Sequence, residues 1–175
     1  MLKTIKRWIG RLLGALLVLL VIGLLLPEDI QMPVSGANNG DFNANSFWFY
    51  PWGKSITHKG VDIFAKKHTP VYAASEGLVV SVSQNDMGGN YILVLGPKWR
   101  FHYYAHLEEV KIKRFSWVNH DSEIGTVGNS GNAKGKPSHL HYTIGTFIPQ
   151  PKNFGAEHQQ WKKLFFVDPI PYIKN

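Results

Sequence analysis

From Leu12 to Leu26 every position of the chain is apolar. No face is left for water, so the pattern is that of a helix surrounded by lipid rather than an amphipathic surface helix. Counted from Trp8, the span to Leu26 has 19 residues and is about 28 Å long as a helix, close to the hydrocarbon thickness of a bilayer. Arg11 can snorkel back to the interface, Trp8 suits the headgroup belt, and Pro27, Glu28 and Asp29 end the helix. Residues 28–46 are rich in Asn, Gly, Ser and Pro and show no period, which reads as a linker or as an extended entry into the domain. From Phe47 the texture changes again. Short apolar, β-branched segments such as GLVVSVS, GNYILVLG, RFHYYAHL and HLHYTIG alternate with glycine turns, several with period-2 character. NDMGGN between two of them reads as a hairpin turn. Only GAEHQQWKKLFF has a helical texture. The pattern predicts a mostly β, antiparallel domain over residues 47–175, a linker over 28–46 and one transmembrane helix within 1–27.

Charge gives the helix an orientation. Lys3, Lys6, Arg7 and Arg11 precede the apolar run, which predicts a cytoplasmic N-terminus and a domain outside the membrane. A cleaved signal peptide is the competing reading; its one small-x-small candidate is Ser35 to Ala37, well past the run. The net charge of +7 suits an acidic polymer or membrane surface, or solubility alone. No Lys/Arg run resembles a nucleic-acid patch, so no nucleic-acid partner is expected. The absence of cysteine excludes a thiol nucleophile, cysteine-ligated zinc and disulfides.

The candidate chemistry lies in the histidines. In HLHY, His139 and His141 share one face of a strand, with Leu140 pointing into the core. In HKGVD, His58 and Asp62 are four apart; Gly60, Val61 and Ile63 favour a turn leading into a strand over a helix. The two patterns alone leave two readings open, one joint metal site or unrelated core and surface histidines. In FHYYAHL, His102, Tyr104 and His106 share a face if the segment is a strand. His102 and His106 also have the spacing of a helical zinc motif, but Tyr103 stands where that motif needs its glutamate. Tyr104 reads as a core aromatic or as a support for the site. His68, His120 and His158 have no partner at a useful spacing and are expected to be exposed.

The order HKGVD, TPVYAASEGLVVSV, YAHL, IGTVGNSGNAKGKPSHLHYTIG, FVDPIPYI resembles the LytM/lysostaphin-type zinc metallopeptidases, a family of peptidoglycan endopeptidases. The likeness runs from about Trp52 to Ile173. It implies an antiparallel β-sheet with an open groove and one Zn2+ per chain. Carried over by motif, His58, Asp62 and His141 are the metal ligands, and His106 and His139 the catalytic histidines. Two imidazoles and a carboxylate leave a fourth position open, as in catalytic zinc sites. The motifs contain no glutamate base, so His106 and His139 jointly serve water activation and stabilisation of the oxyanion or leaving group. The chain departs from the family pattern at KIKRFSWVNHDSE, a loop on which one groove wall depends. With the N-terminal helix, the resemblance implies a single-pass protein of the bacterial inner membrane with peptidoglycan as partner. The expected bond is a peptide bond, because a glycosidase needs a carboxylate pair. Two other readings stay open: a non-catalytic relative that binds or activates other wall hydrolases, and a membrane protein whose β domain only docks a partner.

Overall fold

The computed structural model describes residues 2–155 and 158–174. Helix α1 (Leu2–Leu25) is followed by nine strands: β1 (Val61–Phe64), β2 (Pro70–Tyr72), β3 (Gly77–Asn85), β4 (Gly89–Leu95), β5 (Arg100–Val110), β6 (Trp117–Val118), β7 (Glu123–Val127), β8 (His139–Thr146) and β9 (Phe166–Val167). All pairings are antiparallel, in the order β1-β8-β5-β4-β3-β6, with β9 beside β8 and β7 bridging β2 and β5. The sheet curls because β5 serves two neighbourhoods. Its first half pairs with β4 and β8, its end with β7.

Strand β8 shows why the register is fixed. Leu140, Tyr142 and Ile144 are fully buried on one face, and His139, His141 and Thr143 alternate with them. Burying each of the three apolar side chains contributes about 1.5–3 kcal/mol, together comparable to the whole stability of a small domain. A one-residue slip would exchange the faces and lose that burial. β4 follows the same rule, with Ile92 and Val94 in the core. The turn in NDMGGN joins β3 to β4, with Asn85 opposite Gly89.

Three features go beyond the strand pattern. Residues 28–46 lie along the sheet and contribute Ile30, Val34 and Phe42 to the core. Gln31 N–H donates to the Ala74 carbonyl at 2.9 Å, Tyr72 N–H to Pro33 at 2.8 Å, and Val34 bridges Val71. Among the described residues, which leave out 156 and 157, the helical texture near the C-terminus yields a single turn, α2 (Gln160–Lys163), and a second short turn, α3 (Ile170–Ile173), buries Ile170 and Ile173. His68 is exposed, but His120 is half-buried with Asp29 at 3.4 Å, and His158 stacks on Tyr50 with ring centroids 3.5 Å apart.

Candidate metal centre

Asp62 and His141 are directly opposed across the β1–β8 ladder, so their side chains rise from the same face. Gly60 makes this possible. A Cβ at Gly60 would overlap the Tyr142 carbonyl and the Thr143 hydroxyl, so only glycine lets the chain pass close to β8 and enter β1. His58 precedes this bend and is held by backbone pairing with an earlier segment. Trp48 N–H donates to the His58 carbonyl at 2.6 Å, and His58 N–H donates to Phe49 at 3.0 Å.

The three side chains converge. His58 Nε2 lies 3.0 Å from Asp62 Oδ1 and 3.1 Å from His141 Nδ1, and His141 Nδ1 lies 2.7 Å from Asp62 Oδ1. The protons of these rings are directed elsewhere. His58 Nδ1 faces the Ser46 carbonyl at 3.0 Å; a carbonyl only accepts, so Nδ1 carries the proton and Nε2 offers a lone pair. His141 Nε2 is matched to the Thr143 hydroxyl at 3.0 Å, which leaves Nδ1 for the cluster. Two nitrogen lone pairs and a carboxylate oxygen thus face one another, an arrangement that repels unless a cation or proton joins them. Burial alone would raise the Asp62 carboxyl, but the His141 and His58 imidazoles beside it, which favour the charged carboxylate once either takes up a proton, outweigh burial and hold the group well below the usual carboxylate range. Burial lowers the His141 imidazole despite the opposing pull of Asp62.

The donor set fits zinc. Two imidazoles and one carboxylate are ligands of catalytic zinc sites, and tetrahedral ligands about 2.0–2.1 Å from the ion stand roughly 3.3 Å apart. The observed edges are close to that spacing. Among the described residues, His58, Asp62 and His141 form the cluster able to hold an ion, with donor atoms within 4.8 Å of one another.

His139 and His106 stand beside the triad. His139 donates Nδ1–H to the Pro137 carbonyl at 2.8 Å and turns Nε2 toward Asp62 Oδ2, 3.9 Å away. His106 donates Nδ1–H to the Ser130 carbonyl at 3.0 Å. Its ring centroid is 5.0 Å from that of His139 and 5.9 Å from that of His141. Burial, then the neighbouring His141 and His139, push its pKa down to about 4.

The face of His106 differs from the period-2 expectation. His102 and Tyr104 are fully buried on the core side, whereas His106 lines the cleft. The ladder shifts register here, with Asn90 opposite Leu107 but Ile92 opposite Tyr104. β5 therefore carries one extra residue, and His106 takes a left-handed φ of 63°. Such a bulge re-aims a side chain to the other face, at a conformational cost of about 1–3 kcal/mol for a non-glycine residue. Tyr104 is a core residue: its hydroxyl accepts from Ala74 N–H at 2.8 Å and its ring packs on Tyr142.

The cluster lies in a cleft of about 980 Å³. Among the described residues, none of its lining comes from 111–123; that segment turns away to pair β6 with β3. Three contributors escaped the sequence reading. Trp52 stacks on His58 with centroids 4.1 Å apart. Thr143 orients His141, and its place two residues along the same strand was a usable signal. Tyr103 faces His141 edge-on at 6.5 Å, and burial with nearby Tyr91 pushes its pKa up to about 12, keeping the phenol neutral.

Comparison with known proteins adds an independent line. The model for "Peptidase family M23" matches residues 56–153. The chain is 34% identical over 90 residues to peptidoglycan DD-endopeptidase ShyC of Vibrio cholerae, covering 51% of this chain and 20% of that protein. It is 32% identical over 140 residues to the L-Ala–D-Glu endopeptidase of Bacillus subtilis, covering 70% of this chain and 43% of that protein. The chain thus spans less than half the length of both relatives. Among solved structures, the catalytic domain of lysostaphin from Staphylococcus simulans superposes with a TM-score of 0.58 at 26% identity, covering 73% of this chain and 87% of that one.

Proposed function

The chain belongs to peptidase family M23, and from that premise we propose that it is a zinc-dependent endopeptidase hydrolysing peptide bonds in bacterial cell-wall peptidoglycan. The observation that carries the reading is the convergence of His58 Nε2, Asp62 Oδ1 and His141 Nδ1 at one point of an open cleft, with two further imidazoles alongside. His58, Asp62 and His141 would hold one Zn2+ per chain. When bound, zinc supplies Lewis acidity, lowering the pKa of a water toward roughly 7 and polarising a carbonyl.

The remaining steps belong to the protein. His106 and His139 each have Nδ1–H engaged by a backbone carbonyl, so each presents Nε2 as an acceptor. Together they take the proton from the attacking water and return one to the departing amine, and their N–H form stabilises the oxyanion. Trp52 against His58 and Thr143 against His141 fix the planes of two ligand rings, the orienting role that outer groups play around metals. Residues 47–175 form the peptidase domain.

Helix α1 is a membrane anchor or a signal sequence; Thr4–Leu25 is long and apolar enough to cross a bilayer. The reading adopted is a retained anchor in the inner membrane, with the N-terminus cytoplasmic and the cleft outside. The relatives named for D,D- and L-Ala–D-Glu endopeptidases support stem-peptide or crosslink bonds as substrate. The test is digestion of purified peptidoglycan by the zinc-loaded chain, with muropeptides read by mass spectrometry. New amino termini that disappear with chelator and return with zinc are expected. Intact muropeptides under zinc loading would overturn the reading.

A further inference from the structure

Helix α1 does not leave the sheet as a free tether. Trp99, in the loop between β4 and β5, donates its indole N–H to the Leu20 carbonyl at 2.9 Å. The ring covers Gly23 so closely that a Cβ there would overlap it. Lys98 and Trp99 hold φ values of 56° and 55°, a region that costs a non-glycine residue about 1–2 kcal/mol. Two such residues in succession aim the indole at the helix. Just beyond the helix, the Glu28 carboxylate pairs with Arg100, their side chains 1% and 12% exposed. His102 Nε2 stands 3.6 Å from the same carboxylate, and Arg100 lies over the Tyr172 ring at 5.7 Å. Leu20, Gly23 and Glu28 thus meet Trp99 and Arg100 at successive levels.

The rest of the helix shows where the bilayer must lie. Leu12, Leu13, Leu16 and Leu17 are exposed, and only lipid covers such a surface favourably. The span from Trp8 to Leu26 is about 28 Å long as a helix, close to a hydrocarbon core of about 30 Å. The contact at Gly23 therefore falls about 4–5 Å inside the outer end of that span and the one at Leu20 about 9 Å inside it, in the outer margin of the hydrocarbon beside the headgroup belt that tryptophan favours.

We infer that the Pro97–Trp99 loop is a membrane foot: Trp99 sits at the hydrocarbon–headgroup boundary against Gly23, and the Glu28–Arg100 pair locks the sheet to the anchor above it. The partner is the lipid bilayer, and the inference rests on reading α1 as a retained anchor. It has a consequence for reach. From Arg100 to His106 is six residues of β5, about 20 Å at strand rise. The cleft residue His106 therefore stands roughly 20 Å along β5 from Arg100, a reach set by the strand and not by a flexible tether.

The chain has no cysteine, so single cysteines can carry an environment-sensitive fluorophore without background. The full chain is placed in vesicles of phosphatidylethanolamine and phosphatidylglycerol containing lipids spin-labelled near the headgroup. A label on Lys98→Cys should be quenched severalfold more than one on Asp86→Cys, in the turn at the opposite end of β4. Gly23→Leu should abolish that difference while the chain stays in the vesicle pellet. Equal quenching at both positions in pelleted chain would overturn the foot, and so would quenching that ignores Gly23→Leu. A chain that fails to enter the vesicles would overturn the anchor as well. None of these outcomes touches the peptidase reading, which the muropeptide assay judges separately.

Discussion

Replacing Gly60 with alanine tests how the fold seats the candidate ligands. A Cβ at this position meets backbone, the Tyr142 carbonyl, as well as the Thr143 hydroxyl. A carbonyl within the β1–β8 ladder cannot swing aside as a flexible side chain can. Relief requires β1 to move off β8 by about 1 Å, and overpacking of this kind costs about 1–3 kcal/mol. For a domain of this size that lowers Tm by roughly 4–12 °C. The larger effect falls on function. Asp62 is two residues along and paired with His141, so the shift pulls the carboxylate out of the ligand triangle. A displacement of about 1 Å at a reacting centre costs about 100-fold in rate. The assay pairs thermal melts with zinc stoichiometry and muropeptide release. Gly145→Ala on β8 is the stability control, because its Cβ would meet only ordinary contacts at 3.8 Å. Gly60→Ala with wild-type zinc content, melting and turnover would refute the claim that the close approach at Gly60 aligns the triad.

His141→Ala should lose both zinc and activity, whereas His106→Ala should keep zinc and lose about 10²–10⁴-fold in turnover; metal analysis beside the muropeptide assay separates the two. His106 also gives the metal-free chain a pH signature. Its folded pKa of about 4 lies below the unfolded value of 6.5, so the unfolded chain binds the proton first and stability falls as pH drops from 6.5 to 4. Between pH 7 and 5 that loss is about 2 kcal/mol, and melts of His106→Ala should show a correspondingly flatter fall. Arg100→Ala leaves the buried Glu28 carboxylate without its partner and should destabilise the domain by about 3–5 kcal/mol, measured by denaturant unfolding. A loss under about 1 kcal/mol, as for an exposed pair, would show that the Glu28–Arg100 pair is open to solvent.

Much of the site was legible because β8 keeps strict alternation. HLHYTIG puts Leu140, Tyr142 and Ile144 in the core and His139, His141 and Thr143 on the other face, so period two located His141 of the cluster and His139 beside it. The bend at Gly60 was readable as a turn into a strand. What brings Asp62 opposite His141 is a pairing between segments far apart in sequence, which local pattern does not encode. The face of His106 was hidden for a different reason: one extra residue in β5 reverses the alternation, and no residue type in YYAHL marks that bulge. Residues 28–46 left linker and extended entry both open because Ile30, Val34 and Phe42 are isolated among polar residues, without a period. Trp52 gave no signal either, since its stacking on His58 arises from a loop.

The most direct test of the central claim is X-ray absorption at the zinc edge of the chain loaded with one equivalent of metal. Two imidazole nitrogens and a carboxylate oxygen are expected at about 2.0–2.2 Å, completed by one light solvent atom, with one imidazole lost in His141→Ala. A shell of oxygen alone, or a spectrum unchanged by His141→Ala, would contradict it.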